Sequence, residues 1–239
     1  MYLNEGQGNF AGKLWNYLQR VDYRVASSQS ERSDIYTLRY NAYLRDEAIL
    51  PHSSKKLSDE YDEMDNCWNF AVYIDDEMAG AIRIHLITPD SPRGPAVDFF
   101  PDIVKPMLDE GKVLIDPTRF VVDRELASIY PEMPYLTMRA AFMAYEAFEA
   151  DFGLASVRKE HRAFYRRAFK AEEICEPRPY PPLTVQLGLM RSNVSEFRDQ
   201  LLARYPIFQS SLTERRLLFG QSAKVGASHT GEKVIKLAS

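Results

Sequence analysis

The feature of this sequence that most restricts its fold is the alternation of extended segments with amphipathic helices along most of its length. Strands are expected where turn residues bound alternating or apolar runs, at 21–26, 69–74, 79–87, 112–122, 155–157 and 185–190. Helices are expected where apolar residues recur every three or four positions, at 13–19, 27–46, 135–152, 160–170 and 194–205. This order predicts the α/β class, with a mixed central sheet and helices on both of its faces.

The chain contains no internal repeat, low-complexity block or Gly/Ser linker, so its 239 residues are expected to form a single domain. Residues 1–11 are rich in Gly and Asn, and residues 220–239 are rich in Ser, Gly and Lys, which predicts a loose start and a mobile tail. One irregularity is expected inside the sheet, at Asp116-Pro117, because a proline nitrogen cannot donate to a strand ladder and favours a β-bulge.

Composition argues against several functional classes. The 34 acidic residues outnumber the 30 Lys and Arg, and a net charge of −4 disfavours binding to nucleic acid through phosphate contacts. The two cysteines, Cys67 and Cys175, are too few for a disulfide framework and suit a reducing compartment. No apolar run approaches the roughly 18 residues of a membrane span, and residues 1–10 lack the order of a signal peptide. We therefore expect a cytoplasmic protein with no transmembrane segment and no nucleic-acid partner.

Common motifs of nucleophilic, phosphate-binding and metal-dependent enzymes are missing from the sequence, and no metal site is expected. The four histidines are widely spaced, and His85, on a strand, is expected to be a core or edge residue. What remains is a set of charged residues at positions where a sheet protein should be apolar. They are Arg39, Asp59, Asp62, Arg83, Asp116 and Arg119. These residues form either a structural salt-bridge cluster or a functional site, since buried ion pairs add little net stability.

These charged residues and their neighbours resemble the pattern of acyl-homoserine-lactone synthases and of the related N-acyl amino acid synthases. The match spans residues 30–122 in the order and spacing of those families, through Arg39 and Tyr43, Asp59 and Asp62, Gly80 and Arg83, Phe100-Pro101, and Asp116 and Arg119. The N-acyl amino acid synthases are the closer of the two, from residues 115–122 and 160–167. The resemblance implies the GNAT acyltransferase fold. One departure is Asp116, which stands where the lactone synthase pattern has a glutamate.

The resemblance and the chemistry of acyl transfer imply roles for individual residues. Asp116 is the candidate general base for the acceptor ammonium, and a backbone N–H released by the bulge after it is the candidate oxyanion donor. Tyr165 either protonates the leaving thiolate or is a packed aromatic residue. Arg83 and Arg119 either hold the substrate carboxylate or lock the two upstream aspartates in place.

Further residues are assigned to binding. Arg39, Tyr43, Asp59, Asp62 and Arg83 are expected to bind substrate or to organise the site. Met138 and Met143 lie on the apolar stripe of the helix at 135–152, which is core by default but is also a candidate wall of an acyl tunnel.

The acyl donor is expected to be a carrier protein. GNAT enzymes that use acetyl-CoA bind pyrophosphate at a glycine-containing loop before a helix, whereas residues 124–135 of this chain contain no glycine. The expected donor is therefore acyl-phosphopantetheine on an acyl carrier protein, with no further cofactor. The candidate docking surface is a stripe formed by Lys159, Arg162, Arg166 and Lys170. Ala163, Phe164, Ala168 and Phe169 are then expected on the buried side, and the alternative reading of the stripe is a solvated helix face.

The function expected from these residues is N-acyl transfer of a long-chain acyl group from an acyl carrier protein to the amine of an amino acid. One alternative is an acyl-homoserine-lactone synthase that uses S-adenosylmethionine. Another is a non-catalytic GNAT-like module that binds an acyl chain or lipid.

Overall fold

The computed structural model describes residues 5–220, with side chains from residue 12 onward. Its seven strands form a single sheet in the order β1-β2-β3-β4-β5-β7-β6. The strands are β1 Val21–Val25, β2 Cys67–Ile74, β3 Glu77–Ile87, β4 Leu114–Val122, β5 Phe152–Val157, β6 Glu172–Pro179 and β7 Gln186–Ser192. Neighbouring strands are antiparallel except β4 and β5, which are parallel. The mixed sheet confirms the predicted class.

Helices lie on both faces of this sheet. They are α1 Glu5–Leu18, α2 Gln29–Arg45, α3 Pro95–Phe99, α4 Pro101–Asp109, α5 Arg124–Ile129, α6 Met133–Ala147, α7 Arg162–Phe169, α8 Val194–Arg204 and α9 Leu212–Phe219. The main core packs α1, α6, α8 and α9 against alternate residues of β2 such as Phe70 and Val72. The opposite face packs α2 against Ala71 and Ala81, and α3 and α4 against Leu114. In the described part of the chain, no helix is both long and apolar enough to cross a membrane.

The structure corrects several expected boundaries. The first helix already begins at Glu5, so the start is helical over part of the segment expected to be loose. The helix expected over 135–152 ends at Ala147 because Glu149 adopts a positive φ of 49°, and Phe152 then begins β5. Short or polar elements were not predicted, namely α3, α4, α5, β6 and α9. Residues 1–4 and the tail at 221–239 lie outside the described residues.

Strand β4 carries an irregularity, but it does not lie at the proline. Asp116 and Pro117 pair regularly with His85 and Ile84 of β3. The register shifts between Ala81 and Arg83, opposite residues 119–120, and Arg119 has a positive φ of 52°. The extra residue of a bulge is accommodated where the backbone takes such a conformation, so the bulge is three residues later than expected.

The parallel pair of β4 and β5 is short, and this creates the site. The two strands pair only at Leu114–Phe152 and Ile115–Gly153. Beyond Ile115, β4 continues along β3 while β5 continues along β7, so the two strands diverge. Backbone groups of β4 after residue 115 therefore border a gap within the sheet.

Candidate active site

The gap between β4 and β5 opens into a cavity of about 880 Å³. Its walls include Tyr43 from α2, Thr118 and Arg119 from β4, Ser156 from β5 and Tyr165 from α7. Residues from four separate elements therefore meet at the place where the sheet divides.

A second, smaller cavity of about 50 Å³ lies against the first. The two share Pro117 and Tyr165 as wall residues. The smaller one is otherwise lined almost entirely by apolar side chains, including Met138, Phe142 and Leu154. The pair thus forms a wide cavity with an apolar extension toward α6. Met138 lies where an acyl-tunnel wall was expected, whereas Met143 is fully buried and lines neither cavity.

Five of the six charged residues selected from the sequence form one buried network, which excludes Asp116. Asp59 accepts hydrogen bonds from Arg83 and, at 2.6 Å, from Arg119. Asp62 accepts from Arg39 at 2.7 Å. The two aspartates are held by a short 3₁₀ helix, Glu60–Glu63, in which each side chain caps the backbone of the turn. Three arginines are therefore brought onto one turn.

The electrostatics of this network keep it ionised. Burial opposes ionisation of Asp59, but the adjacent Arg83 and Arg119 guanidiniums lower its pKa to about 2. Arg83 also donates to the Thr118 hydroxyl at 2.9 Å, which ties the network to β4. Arg83 and Arg119 both contact Asp59, as expected if these arginines hold the upstream aspartates in place. Arg119 also lines the large cavity, whereas Arg39 and Arg83 do not.

Arg119 lies in an unusual position for a charged side chain. Its backbone is in the left-handed region at the bulge, and its guanidinium lies 5.4 Å from the centre of the Tyr43 ring. Its Nε atom is buried and has no hydrogen-bond partner within residues 12–220. Non-glycine residues hold such a backbone conformation where the surroundings enforce it, which is frequent at functional sites.

Asp116 is fully buried and lines neither cavity. Its Oδ2 accepts the backbone N–H of Ala96, at the start of α3, at 3.1 Å, and its Oδ1 has no partner among the described residues. Burial raises the pKa of Asp116 to about 6, although the Ala96 N–H and Arg83 favour the charged form. Asp116 thus has the pKa of a general base near neutrality but no direct contact with the cavity.

Tyr165 is positioned both as a packed aromatic residue and as a possible proton donor to the cavity. It lines both cavities, and its ring packs against Phe164 and Phe169 with centres 5.3 and 6.4 Å away. Burial raises the pKa of its phenol, so the hydroxyl stays protonated at neutral pH. A packed aromatic residue at this position therefore also presents a proton donor.

The stripe expected to dock a carrier protein is only partly exposed. Lys159, Arg166 and Lys170 are exposed, but Arg162 is buried and ion-paired with Glu173 of β6, which also binds Arg166 at 2.6 Å. Ala163, expected on the buried side, is exposed, whereas Ala168 and Phe169 are buried as expected and Phe164 is partly buried. The sequence reading missed β6 and with it the acid that neutralises this helix.

The sequence reading also missed a cation at the cavity mouth. Arg124, the first residue of α5, is exposed and lines the large cavity. The preceding Asp123 caps α5 by accepting the N–H groups of Glu125 and Leu126, a capping pattern that was available in the sequence. Arg124 and Lys159 have no ion pair within residues 12–220.

The glycine-free segment 124–135 contains α5 and ends in the first turn of α6. The N–H of Met133 bonds to Tyr130, Pro134 has no N–H, and that of Tyr135 bonds to the carbonyl of Glu132. The Glu132 side chain is itself buried at this end. The first turn of α6 therefore presents no unpaired backbone donor to an anion.

Comparison with known proteins places this arrangement among acyltransferases. The family described as N-acyl amino acid synthase FeeM matches residues 34–193. FeeM, an N-acyl amino acid synthase from uncultured soil microbes, is 18% identical with a TM-score of 0.62, over 77% of this chain and 97% of that one. The CoA-dependent acyl-homoserine lactone synthase BjaI is 13% identical with a TM-score of 0.55, over 81% and 91% of the two chains.

An acyl-CoA N-acyltransferase from Pseudomonas aeruginosa is 16% identical with a TM-score of 0.50, over 72% of this chain and 99% of that one. At these identities the likeness to solved structures establishes the GNAT-like acyltransferase fold. No curated protein is similar enough in sequence to match the chain.

Proposed function

The chain belongs to the N-acyl amino acid synthase FeeM family, and from this we propose that it transfers a long-chain acyl group from an acyl carrier protein to the amine of an amino acid. Membership of this family makes the protein an N-acyltransferase. What we propose is the acyl donor, the acceptor and the role of each site residue. The observation that carries it is the divided sheet, whose large cavity continues into an apolar extension.

The apolar extension supports a long acyl chain. Its walls are Met138, Ala141, Phe142 and Leu154 together with the shared Pro117. Burying each methylene of an acyl chain against such side chains contributes about 0.8 kcal/mol.

The first turn of α6 supports a carrier protein as donor. The pyrophosphate of CoA is stabilised at a helix N-terminus by free backbone N–H groups, and here those groups are paired or absent. A carrier-bound phosphopantetheine arm has a single phosphodiester, which stays at the protein surface. The donor therefore needs no pyrophosphate seat inside the cavity.

The mouth of the cavity supports an acidic partner. Arg124, Arg158 and His161 line the cavity, and Lys159 is exposed between the last two. Glu160 also lines the cavity, but it is ion-paired with Arg158 at 2.5 Å. Because Arg162 is buried, the docking surface proposed here consists of Arg124 and Lys159 rather than the original helical stripe. Rim charges of this kind act mainly on association rate and salt dependence.

The buried network supports an acceptor that carries a carboxylate. Three guanidiniums, those of Arg39, Arg83 and Arg119, are hydrogen-bonded with two carboxylates, those of Asp59 and Asp62. Arg119 faces the cavity with its Nε unpaired. A charged group without a full set of partners in a buried site favours an anionic ligand, and the α-carboxylate of an amino acid is one.

The chemistry then runs across the gap. Asp116, which has no direct contact with the cavity, takes the proton of the acceptor ammonium through water, and the neutral amine attacks the thioester carbonyl. A backbone N–H of the β4 bulge is the proposed donor to the tetrahedral oxyanion, a contribution of roughly 3 kcal/mol for one such donor. Tyr165 gives its proton to the departing thiolate.

Mass spectrometry of the products tests this proposal. Purified protein is incubated with long-chain acyl carrier protein thioesters, pooled amino acids and S-adenosylmethionine. An N-acyl amino acid supports the proposal. A lactone formed from S-adenosylmethionine identifies a homoserine-lactone synthase instead, and acyl binding without any product, equal in wild type and Asp116→Asn, identifies a non-catalytic binding module.

A further inference from the structure

The apolar extension, as it stands, receives only part of a long acyl chain. A cavity of about 150 Å³ holds one benzene ring, so the extension, at about 50 Å³, accommodates roughly two carbon atoms. Further carbons enter only as far as the walls of the extension yield. Protein interiors are packed as densely as organic crystals, so a wall yields only where the layer behind it gives way. The side chains behind the walls therefore decide how much of a chain the extension accepts.

Two aromatic walls of the extension rest on the same side chain. Phe142 of α6 and Phe169 of α7 both line the extension. The centre of the Phe208 ring lies 5.4 Å from that of Phe142 and 5.6 Å from that of Phe169. Phe208 itself is fully buried and lines neither cavity. It therefore forms a second layer directly behind walls that come from two different helices.

The backbone around Phe208 is held by a buried arginine. Phe208 ends the short 3₁₀ helix Pro206–Phe208. The guanidinium of Arg139, from α6, donates to the carbonyl of Ile207 and, at 2.8 Å, to that of Gln209. Arg139 is 2% exposed and is also ion-paired with α9. Separating a buried guanidinium from its partners is costly, so these bonds keep Phe208 in place when a chain presses on the walls in front of it.

We propose that Phe208 limits the length of the acyl chain that the enzyme transfers, by fixing Phe142 and Phe169. The inference rests on the proposed function, since it takes the apolar extension as the place of the acyl chain. Phe208 is a positioning residue, because it acts through the two rings that face the chain and has no contact with the chain itself. It lies beyond residues 34–193, which match the family, so the family's pattern does not include it.

The test compares Phe208→Leu and Phe208→Ala with wild type and with Phe219→Leu. Both Phe208 variants remove ring volume behind the extension, and the leucine variant keeps an apolar side chain there should the alanine variant not fold. Phe219 is also buried in the C-terminal segment, and its substitution by leucine removes the same atoms. Its ring contacts those of Trp68, Phe70 and Phe148, none of which lines either cavity.

Two quantities are measured for octanoyl, dodecanoyl and hexadecanoyl carrier proteins, with melting temperatures beside them. One is kcat/KM with pooled amino acids, and the other is the dissociation constant without an acceptor. Because the dissociation constant needs no turnover, it tests the role of Phe208 separately from the reaction.

We expect the Phe208 variants to shift the preference toward longer chains. Each methylene that gains a buried position contributes about fourfold in affinity. The preference for hexadecanoyl over octanoyl carrier protein should therefore rise at least ~4-fold in Phe208→Leu and at least ~10-fold in Phe208→Ala, with the wild-type preference kept in Phe219→Leu.

The contrary results separate this limit from the proposed function. A wild-type preference in folded Phe208 variants overturns the limit and leaves the acyl transfer to amino acids intact. An equal shift in Phe219→Leu means that a loosened core is the cause, which also overturns the limit. If the wild type forms no N-acyl amino acid, the proposed function fails, and the dissociation constants still decide whether Phe208 limits the chain.

Discussion

Charge reversal at the mouth of the cavity tests the docking surface most directly. In the double variant Arg124→Glu/Lys159→Glu, both side chains are exposed and neither has an ion pair within residues 12–220. The substitutions therefore remove no intramolecular partner, and the melting temperature should stay close to that of wild type.

The expected magnitude follows from the number of charges reversed. Exposed ion pairs contribute about 0.2–1 kcal/mol each, and each reversal replaces one attraction by one repulsion of similar size. Four such changes amount to roughly 2 kcal/mol, or about 30-fold in affinity. Because the two substitutions leave the proposed catalytic residues Asp116, Arg119 and Tyr165 unchanged, the lost affinity should appear as a rise of about 30-fold in the KM for the acyl carrier protein, with kcat unchanged.

Steady-state kinetics at two salt concentrations provide the assay. The wild-type KM should rise with salt as the Debye length falls from about 10 Å at 0.1 M to about 3 Å at 1 M, and the double variant should lose this dependence. Lys105→Glu/Arg216→Glu is the matched control, with the same change of net charge on exposed residues of α4 and α9 that do not line the cavity. An unchanged KM in the mouth variant, or an equal rise in the control, would refute docking at the mouth.

Three further predictions follow from the same contacts. Arg162→Glu places a second carboxylate beside Glu173 at a side chain that is 10% exposed, so it should destabilise the fold by roughly 3–5 kcal/mol and lower Tm by about 6–20 °C; an unchanged Tm by calorimetry would contradict the buried pair. Asp116→Asn should lower turnover about 100-fold or more without lowering Tm at pH 7. Because burial raises the native pKa of Asp116 to about 6, the native state holds this proton more tightly than the unfolded chain does, and wild-type stability falls as the pH rises between about 4 and 6. The asparagine side chain does not ionise and avoids this loss. The same pKa predicts a wild-type kcat/KM that rises as pH passes about 6, and a profile flat through that range speaks against this base. Acyl-CoA should give a lower kcat/KM than the same chain on a carrier protein, since α6 has no free N–H groups for pyrophosphate; a higher value with acyl-CoA would overturn the carrier assignment.

The class of the fold and the charged network were accessible from the sequence because their signals are local. Alternating and three-to-four-residue periodicity located most of the strands of the sheet and the long helices α2, α6 and α8. Arginines at positions 39, 83 and 119 stood out because a charge in an apolar segment must find a partner when the segment is buried. Their family pattern linked them to Asp59 and Asp62, and the structure places all five in one hydrogen-bonded group.

What the sequence alone did not determine depends on contacts between distant segments. The position of the bulge is set by the pairing of β4 with β3, so it falls at Arg119 rather than at the proline. Arg162 has the spacing of an exposed stripe but is buried, because β6 brings Glu173 against it.

The same reason explains the place of Asp116. Its carboxylate accepts the N–H of Ala96 from α3, 20 positions earlier in the sequence. Local periodicity carries no information about such a contact, since it forms only when α3 packs against β4. The members of the charged network were therefore readable from the sequence, whereas their access to the cavity was decided by the tertiary structure.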